Sequence, residues 1–240
     1  MRKRLRHVHL RATILPRFGL GPRRRRRLID ARTLRGYEGA ATAEGTHRFA
    51  FETQLAVAST ATTDGVYRVG LIADTNVPTA LVRLPEPLRA GLSEVNCIIH
   101  TGDLVSLDVL DEQDAMAPTT AVAGNCDPLE VARCLPERTT LSLAGRRVGV
   151  CHGHQRSMLQ NQYTACRYDE PQFDLFCQAM EIQLPDCDVI VFGHFHTPVV
   201  REWHGILFVN PGSIAPPHAR PTYAVLELGE RVTARVHLLG

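Results

Sequence analysis

Short apolar runs separated by turn signals begin at Tyr67 and continue to the C-terminus. Val69 to Ala73, Asn96 to His100 and Thr120 to Ala123 predict three buried strands, each giving way to polar residues. Between them, Pro85 to Val95 and Ser106 to Met116 have the length and composition of helices. Asp127 opens another helix, to about Cys134, as its N-cap. The second half is richer in strands. Thr140 to Leu143 and Val148 to Cys151 flank the turn Ala144-Gly145-Arg146 as a hairpin, and Glu170 to Gln183 reads as a helix. Val189 to Phe192, Ile206 to Asn210, Tyr223 to Leu228 and Val232 to Leu238 follow as strands, with Gly229-Glu230 turning the last pair. The late strands are joined by turns too short for crossover helices. An α/β fold with two sheets face to face and helices outside therefore fits better than one doubly wound sheet.

Polar residues fall at a recurring place in this pattern. Asp74, Asp103, Asn125, His152 and the pair His194 and His196 each follow an apolar run. Strand C-termini in an α/β sheet face one crevice, so residues far apart in sequence can meet there around one centre. Two Asp, one Asn and three His offer hard oxygen and borderline nitrogen donors, a mixture that suits Mn²⁺, Fe or Zn²⁺ better than Ca²⁺ or Cu(I). A lone Asp after a strand is more often a turn former, and a lone His is often a satisfied core residue. The joint occurrence of Thr-Gly-Asp (101–103), Gly-Asn-Cys-Asp (124–127), His-Gly-His (152–154), Gly-His-Phe-His (193–196) and Asn-Pro-Gly-Ser (210–213) is what turns cannot explain.

Residues 1–65 have a different texture and no sustained period. Of 27 Lys and Arg, 13 lie between Arg2 and Arg35, where Asp30 is the only acid. This reads as a basic leader, disordered or organelle-targeting, ahead of a single domain over 66–240. From position 36 onward the chain carries 14 basic against 24 acidic residues, about −10, which disfavours nucleic acid as a partner. Seven cysteines, an odd number with no CxxC pair, indicate a reducing compartment, and cytoplasmic location is the expectation. No apolar run of about 18 residues is present to span a bilayer. The sequence does not indicate an oligomeric state.

These motifs resemble the calcineurin-like metallophosphoesterases, and within them the small bacterial and archaeal phosphodiesterase branch that includes the retromer subunit of this fold. The resemblance runs from about Tyr67 to Gly240. It implies a β-sandwich flanked by helices and two divalent metal ions, Mn²⁺ favoured, with Fe, Zn²⁺, Mg²⁺ and Ni²⁺ as alternatives. Asp103 would bridge the pair; Asp74, His196 and the residue at 76 would complete one site, and Asn125, His152 and His194 the other. The implied reaction is hydrolysis of a small phosphodiester by a metal-bridging hydroxide, with Asp103 and Asn125 in the machinery. His154 is the additional imidazole placed to reach a phosphoryl oxygen or a leaving group; a supporting structural role is the alternative.

Two positions depart from what the resemblance implies. Asn76 replaces the His of the Asp-x-His motif, so one site keeps at best a weaker amide ligand and favours an oxygen-tolerant ion. Cys126 stands where the phosphatase branch has the His that protonates the leaving group, and an ordinary thiol is a poor general acid. Both departures support a rival reading, a scaffold of the same fold that binds partner proteins. Neither a Gly-x-Ser-x-Gly elbow nor a Gly-Lys-Ser/Thr phosphate loop occurs.

Overall fold

The computed structural model describes residues 13–14, 65–154, 172–216 and 219–239. Apart from Thr13, Ile14 and Gly65, the leader expected over 1–65 lies outside them. One sheet is ordered β1-β11-β10-β2-β3-β4, from Thr13–Ile14 (β1), Val232–Leu238 (β11), Thr222–Leu228 (β10), Tyr67–Ile72 (β2), Cys97–His100 (β3) and Thr119–Ala121 (β4). The other is ordered β5-β6-β7-β9-β8, from Arg138–Leu143 (β5), Arg146–Cys151 (β6), Val189–Val191 (β7), Ile206–Asn210 (β9) and Val199–Trp203 (β8). Both sheets are mixed: β2, β3 and β4 run parallel, as do β6, β7 and β9, while the remaining pairs are antiparallel.

Alternation along the central strands assigns their faces. Val69 and Leu71 of β2, Val189 and Val191 of β7, and Leu207 and Val209 of β9 point between the sheets into one core. Their neighbours face outward. Ile72 and Ile98 pack under α1 (Glu86–Gly91), α2 (Asp108–Asp114) and α3 (Leu129–Ala132), whereas Ile190, Phe192 and Phe208 pack under α4 (Gln172–Gln183). Strands covered on both faces have no solvent side, which is why they read as continuous apolar runs. The expected sandwich with helices outside is the observed four-layer arrangement.

The sequence expectations differ from the structure in three respects. Val199–Trp203 is a strand that the pattern did not announce. It lies at a sheet edge with only Val199 and Val200 buried, and its Arg and Glu disguise it. The helices on the first sheet are shorter than expected; α1 stops at Gly91, and the turn Leu92 to Val95 follows it. Asp127 does not cap α3. The N-cap is Pro128, without a side-chain bond, and the Asp127 carboxylate points back to the loops before the helix. The hairpin β5–β6 does turn at Ala144 and Gly145, both at positive φ as a two-residue turn requires.

Helix α4 is held by aromatic packing. Phe176 is 2% exposed and has ring centroids of Phe192 and Phe195 at 4.8 and 5.4 Å. Phe176→Ala is expected to lower the unfolding free energy by ~3–5 kcal/mol. Ile182→Ala, on the solvent side at 74% exposure, is expected to change it by less than ~0.5 kcal/mol. Urea denaturation of the two variants checks this, and equal losses would refute the placement of α4.

Candidate metal centre

The C-terminal ends of the parallel strands in both sheets open onto one place. β2 delivers Asp74, β3 delivers Asp103, and β4 leads into Gly124 and Asn125. From the opposite sheet β6 delivers His152, and β7 leads into His194 and His196. One oxygen each of Asp74 and Asp103 and one nitrogen of His152 lie within 4.8 Å of one another, and all three residues are buried. The His152 Nε2 is 3.1 Å from Asn125 Oδ1, 3.3 Å from Asp103 Oδ2 and 4.0 Å from Asp74 Oδ1. The His196 Nε2 lies 3.1 Å from Asp74 Oδ1. Rings of His154 and His194 each sit 5.2 Å from that of His152. Asn76 is placed by its backbone, whose N–H donates to the Asp103 carbonyl at 3.0 Å.

Tight bends bring these side chains inward. Nine described non-glycine residues have positive φ, and five of them are Asp74, Asn76, Asp103, His194 and His196, so left-handed backbone concentrates at the site. The close approach also requires glycine at 124. A Cβ there would strike the Asp103 carboxylate and backbone nitrogen. The Asn-Pro-Gly-Ser loop after β9 fastens the two sheets at the same end. The Ser213 hydroxyl donates across to the Asp74 carbonyl of the first sheet at 3.1 Å, while the Asn210 amide donates within its own sheet to the Gly193 carbonyl at 2.8 Å.

The hydrogen bonds fix how the imidazoles face. A carbonyl only accepts, so the Thr101 carbonyl at 2.7 Å holds a proton on His152 Nδ1 and turns Nε2 toward the acids. Burial works to lower the His152 pKa, but the bond to Asp103 and the Asp74 charge outweigh it and raise it. For Asp103, burial raises the pKa, while His152 and the Cys126 N–H, donated at 2.8 Å, hold it below the ordinary carboxylate range. The bond to Asp74 raises the pKa of His196. Burial, followed by the His152 charge, lowers His194 to about 4. At the rim, desolvation and then the Asp103 carboxylate push the Cys126 thiol up to about 12, so it stays protonated at neutral pH.

A cation fits this donor set. Donors about 2.0–2.2 Å from one ion lie roughly 3–3.6 Å apart at angles between square and tetrahedral, and three imidazole–oxygen pairs here measure 3.1, 3.1 and 3.3 Å. The buried Nε2 of His194 and Nδ1 of His154 have no hydrogen-bond partner, the condition a waiting ligand would relieve. His152 is also oriented as a metal-binding imidazole needs, with Nδ1 held by a carbonyl so that Nε2 is the nitrogen left to face an ion.

Two contributors have roles at the site that the sequence does not reveal. His100 accepts from the Gly102 N–H at 3.1 Å and has Thr75 Oγ1 at 3.1 Å from its other nitrogen; burial depresses it to about 3, so it is a neutral brace under both aspartate loops. Asp127 accepts from three backbone N–H groups: Val105 at 2.7 Å, Gly124 at 2.7 Å and Asp103 at 3.2 Å. An acidic residue after a turn can reach forward or back, and sequence alone does not decide which.

Comparison with known proteins agrees with this geometry. The calcineurin-like phosphoesterase superfamily domain matches residues 67–231. A probable metallophosphoesterase of Methanothermobacter thermautotrophicus is 31% identical over 170 residues, 70% of this chain and 90% of the relative. A phosphodiesterase of Methanocaldococcus jannaschii is 24% identical over 157 residues, 60% of this chain and 82% of the relative. Vacuolar protein sorting 29 from Cryptosporidium parvum superposes with a TM-score of 0.59 at 25% identity, covering 74% of this chain and 93% of its own. Among the described residues no helix is long and apolar enough to cross a membrane. The match over most of the domain, and a relative above 30% identity aligned along nine tenths of its length, make this chain a member of the calcineurin-like phosphoesterase superfamily.

Proposed function

We propose that the chain is a dinuclear-metal phosphodiesterase acting on small phosphodiesters. The observation that carries this reading is the ring of oxygens around His152 Nε2, from Asn125, Asp103 and Asp74, a buried place built for positive charge. Members of the family bind divalent metals, and the phosphodiesterase of M. jannaschii supports the substrate class. Asp103 would bridge two ions, with Asp74, Asn76 and His196 on one and Asn125, His152 and His194 on the other. Mn²⁺ is the favoured ion, because the first group is rich in oxygen and lacks a second imidazole. Such ions, when bound, supply Lewis acidity and bring the pKa of water toward neutrality.

The chain's own residues would hold and orient the substrate. Asn125, exposed beside His152, has an amide N–H that donates to Cys126 Sγ at 3.3 Å and would turn from it to a phosphoryl oxygen of the substrate. His154, half-buried and lowered in pKa by burial and the neighbouring His152 charge, is neutral at pH 7 and able to accept a hydrogen bond or orient a water. Cys126, a thiol held protonated, protonates a leaving group poorly, so esters with good leaving groups should turn over fastest. The rival reading, a protein-binding scaffold, draws on Asn76 and Cys126 and on the likeness to vacuolar protein sorting 29.

The deciding experiment is metal analysis of the purified protein beside turnover of an aryl phosphodiester with added Mn²⁺. Turnover is expected, with two Mn²⁺ sites of unequal affinity, and Asn76→His should bring the weaker toward the stronger. No turnover with any metal would favour the scaffold; two equally tight sites in the parent would contradict the role given to Asn76. Binding should also depend on pH. His152 and His196 have pKa values raised above the usual histidine value, so near neutrality Mn²⁺ displaces protons and its affinity rises with pH up to ~tenfold per unit per proton. Calorimetry at pH 7 in buffers of different ionisation enthalpy should register that release, and its absence would argue against these ligands. His154→Ala should cost kcat on the order of 10²-fold with Mn²⁺ stoichiometry retained; unchanged hydrolysis of activated and unactivated diesters would remove His154 from the reaction.

A further inference from the structure

We infer that Asp127 is a positioning residue that sets the relative placement of Asp103 and Asn125, and through them the affinity of the site for cations. This rests on the metal reading above. Asp103 and Asn125 lie on different loops, one after β3 and one after β4, and an error of an ångström between them would spoil a shared coordination sphere. Between those loops stands one carboxylate. Asp127 Oδ1 accepts from the Val105 N–H at 2.7 Å; Oδ2 accepts from the Gly124 N–H at 2.7 Å and the Asp103 N–H at 3.2 Å. Both oxygens are used, and each loop contributes at least one donor.

A second bond runs the other way, from the Cys126 N–H to Asp103 Oδ1 at 2.8 Å. The two loops are therefore laced reciprocally, each carboxylate bound to the other's backbone. Gly124 allows this approach, since any side chain there would collide with Asp103. Val105 and Asp103 both have positive φ (74° and 59°), a bend that the Asp127 carboxylate holds by fixing the N–H on either side of Leu104. Asparagine is nearly the same shape but has one acceptor oxygen and an NH₂ in place of the other. It must turn that NH₂ toward Val105 or toward the Asp103 and Gly124 pair, leaving a donor facing a donor.

The test compares Asp127→Asn with Leu88→Ala, a buried residue of α1 distant in sequence from both loops, each measured as the full chain well below its melting temperature. Mn²⁺ binding by calorimetry should weaken roughly 10- to 100-fold in Asp127→Asn and stay within about twofold of the parent in Leu88→Ala, whatever either does to the melting temperature. Amide hydrogen exchange without metal should lose protection at Val105 or Gly124 in Asp127→Asn alone. Parent-like Mn²⁺ affinity in Asp127→Asn, an equal loss in Leu88→Ala, or unchanged exchange at both amides would overturn the assignment. If the parent takes up no Mn²⁺, the metal reading falls, and the exchange result alone decides whether Asp127 laces the loops.

Discussion

Two carboxylates of like charge, Asp74 and Asp103, are held in the interior within reach of each other, and the surrounding structure is organised by that constraint. Burying a charge without compensation costs several kcal/mol. Here the compensation is partly backbone: the His194 N–H donates to Asp74 at 3.2 Å and the Cys126 N–H to Asp103 at 2.8 Å. The rest is imidazole, with His152 drawn toward both acids and His196 toward Asp74. Left-handed bends at both aspartates aim the side chains inward, at a cost on the order of 1–3 kcal/mol for each strained residue. A fold that keeps such features concentrates them where chemistry is done.

The donors come from both sheets, so the site is also a seam. Asp74, Asp103 and Asn125 belong to one layer, and His152, His194 and His196 to the other. Their meeting depends on the strand ends of the two sheets staying together at one end of the sandwich. The valines and leucines between the sheets supply most of that cohesion, and the Ser213 bond to the Asp74 carbonyl closes the end itself. Ser213, the last residue of the Asn-Pro-Gly-Ser motif, is fully buried and tied to the Asp74 carbonyl.

How much of this was legible in the sequence follows from the same physics. Strands buried on both faces must be apolar throughout, so β2, β3, β7 and β9 announce themselves, and a polar residue just beyond each end marks the crevice. β8 escapes because an edge strand is half exposed and carries Arg201 and Glu202. His100 escapes for the opposite reason. It sits inside an apolar run and looks like its last polar residue, whereas its two ring nitrogens brace the backbone and side chain of neighbouring loops. Asp127 was visible as an acid beside a helix start, but the direction of its reach depends on backbone N–H groups contributed by another loop, which is tertiary information.

A seam built this way ties solution composition to cohesion. On the metal reading, an ion gripped by both layers acts as a rivet between them, because unfolding must release it. At a hundredfold excess over its dissociation constant it would add about 2.7 kcal/mol to the folded state. The resistance of this molecule to heat would then be a property of the cation pool around it as much as of its hydrophobic interior.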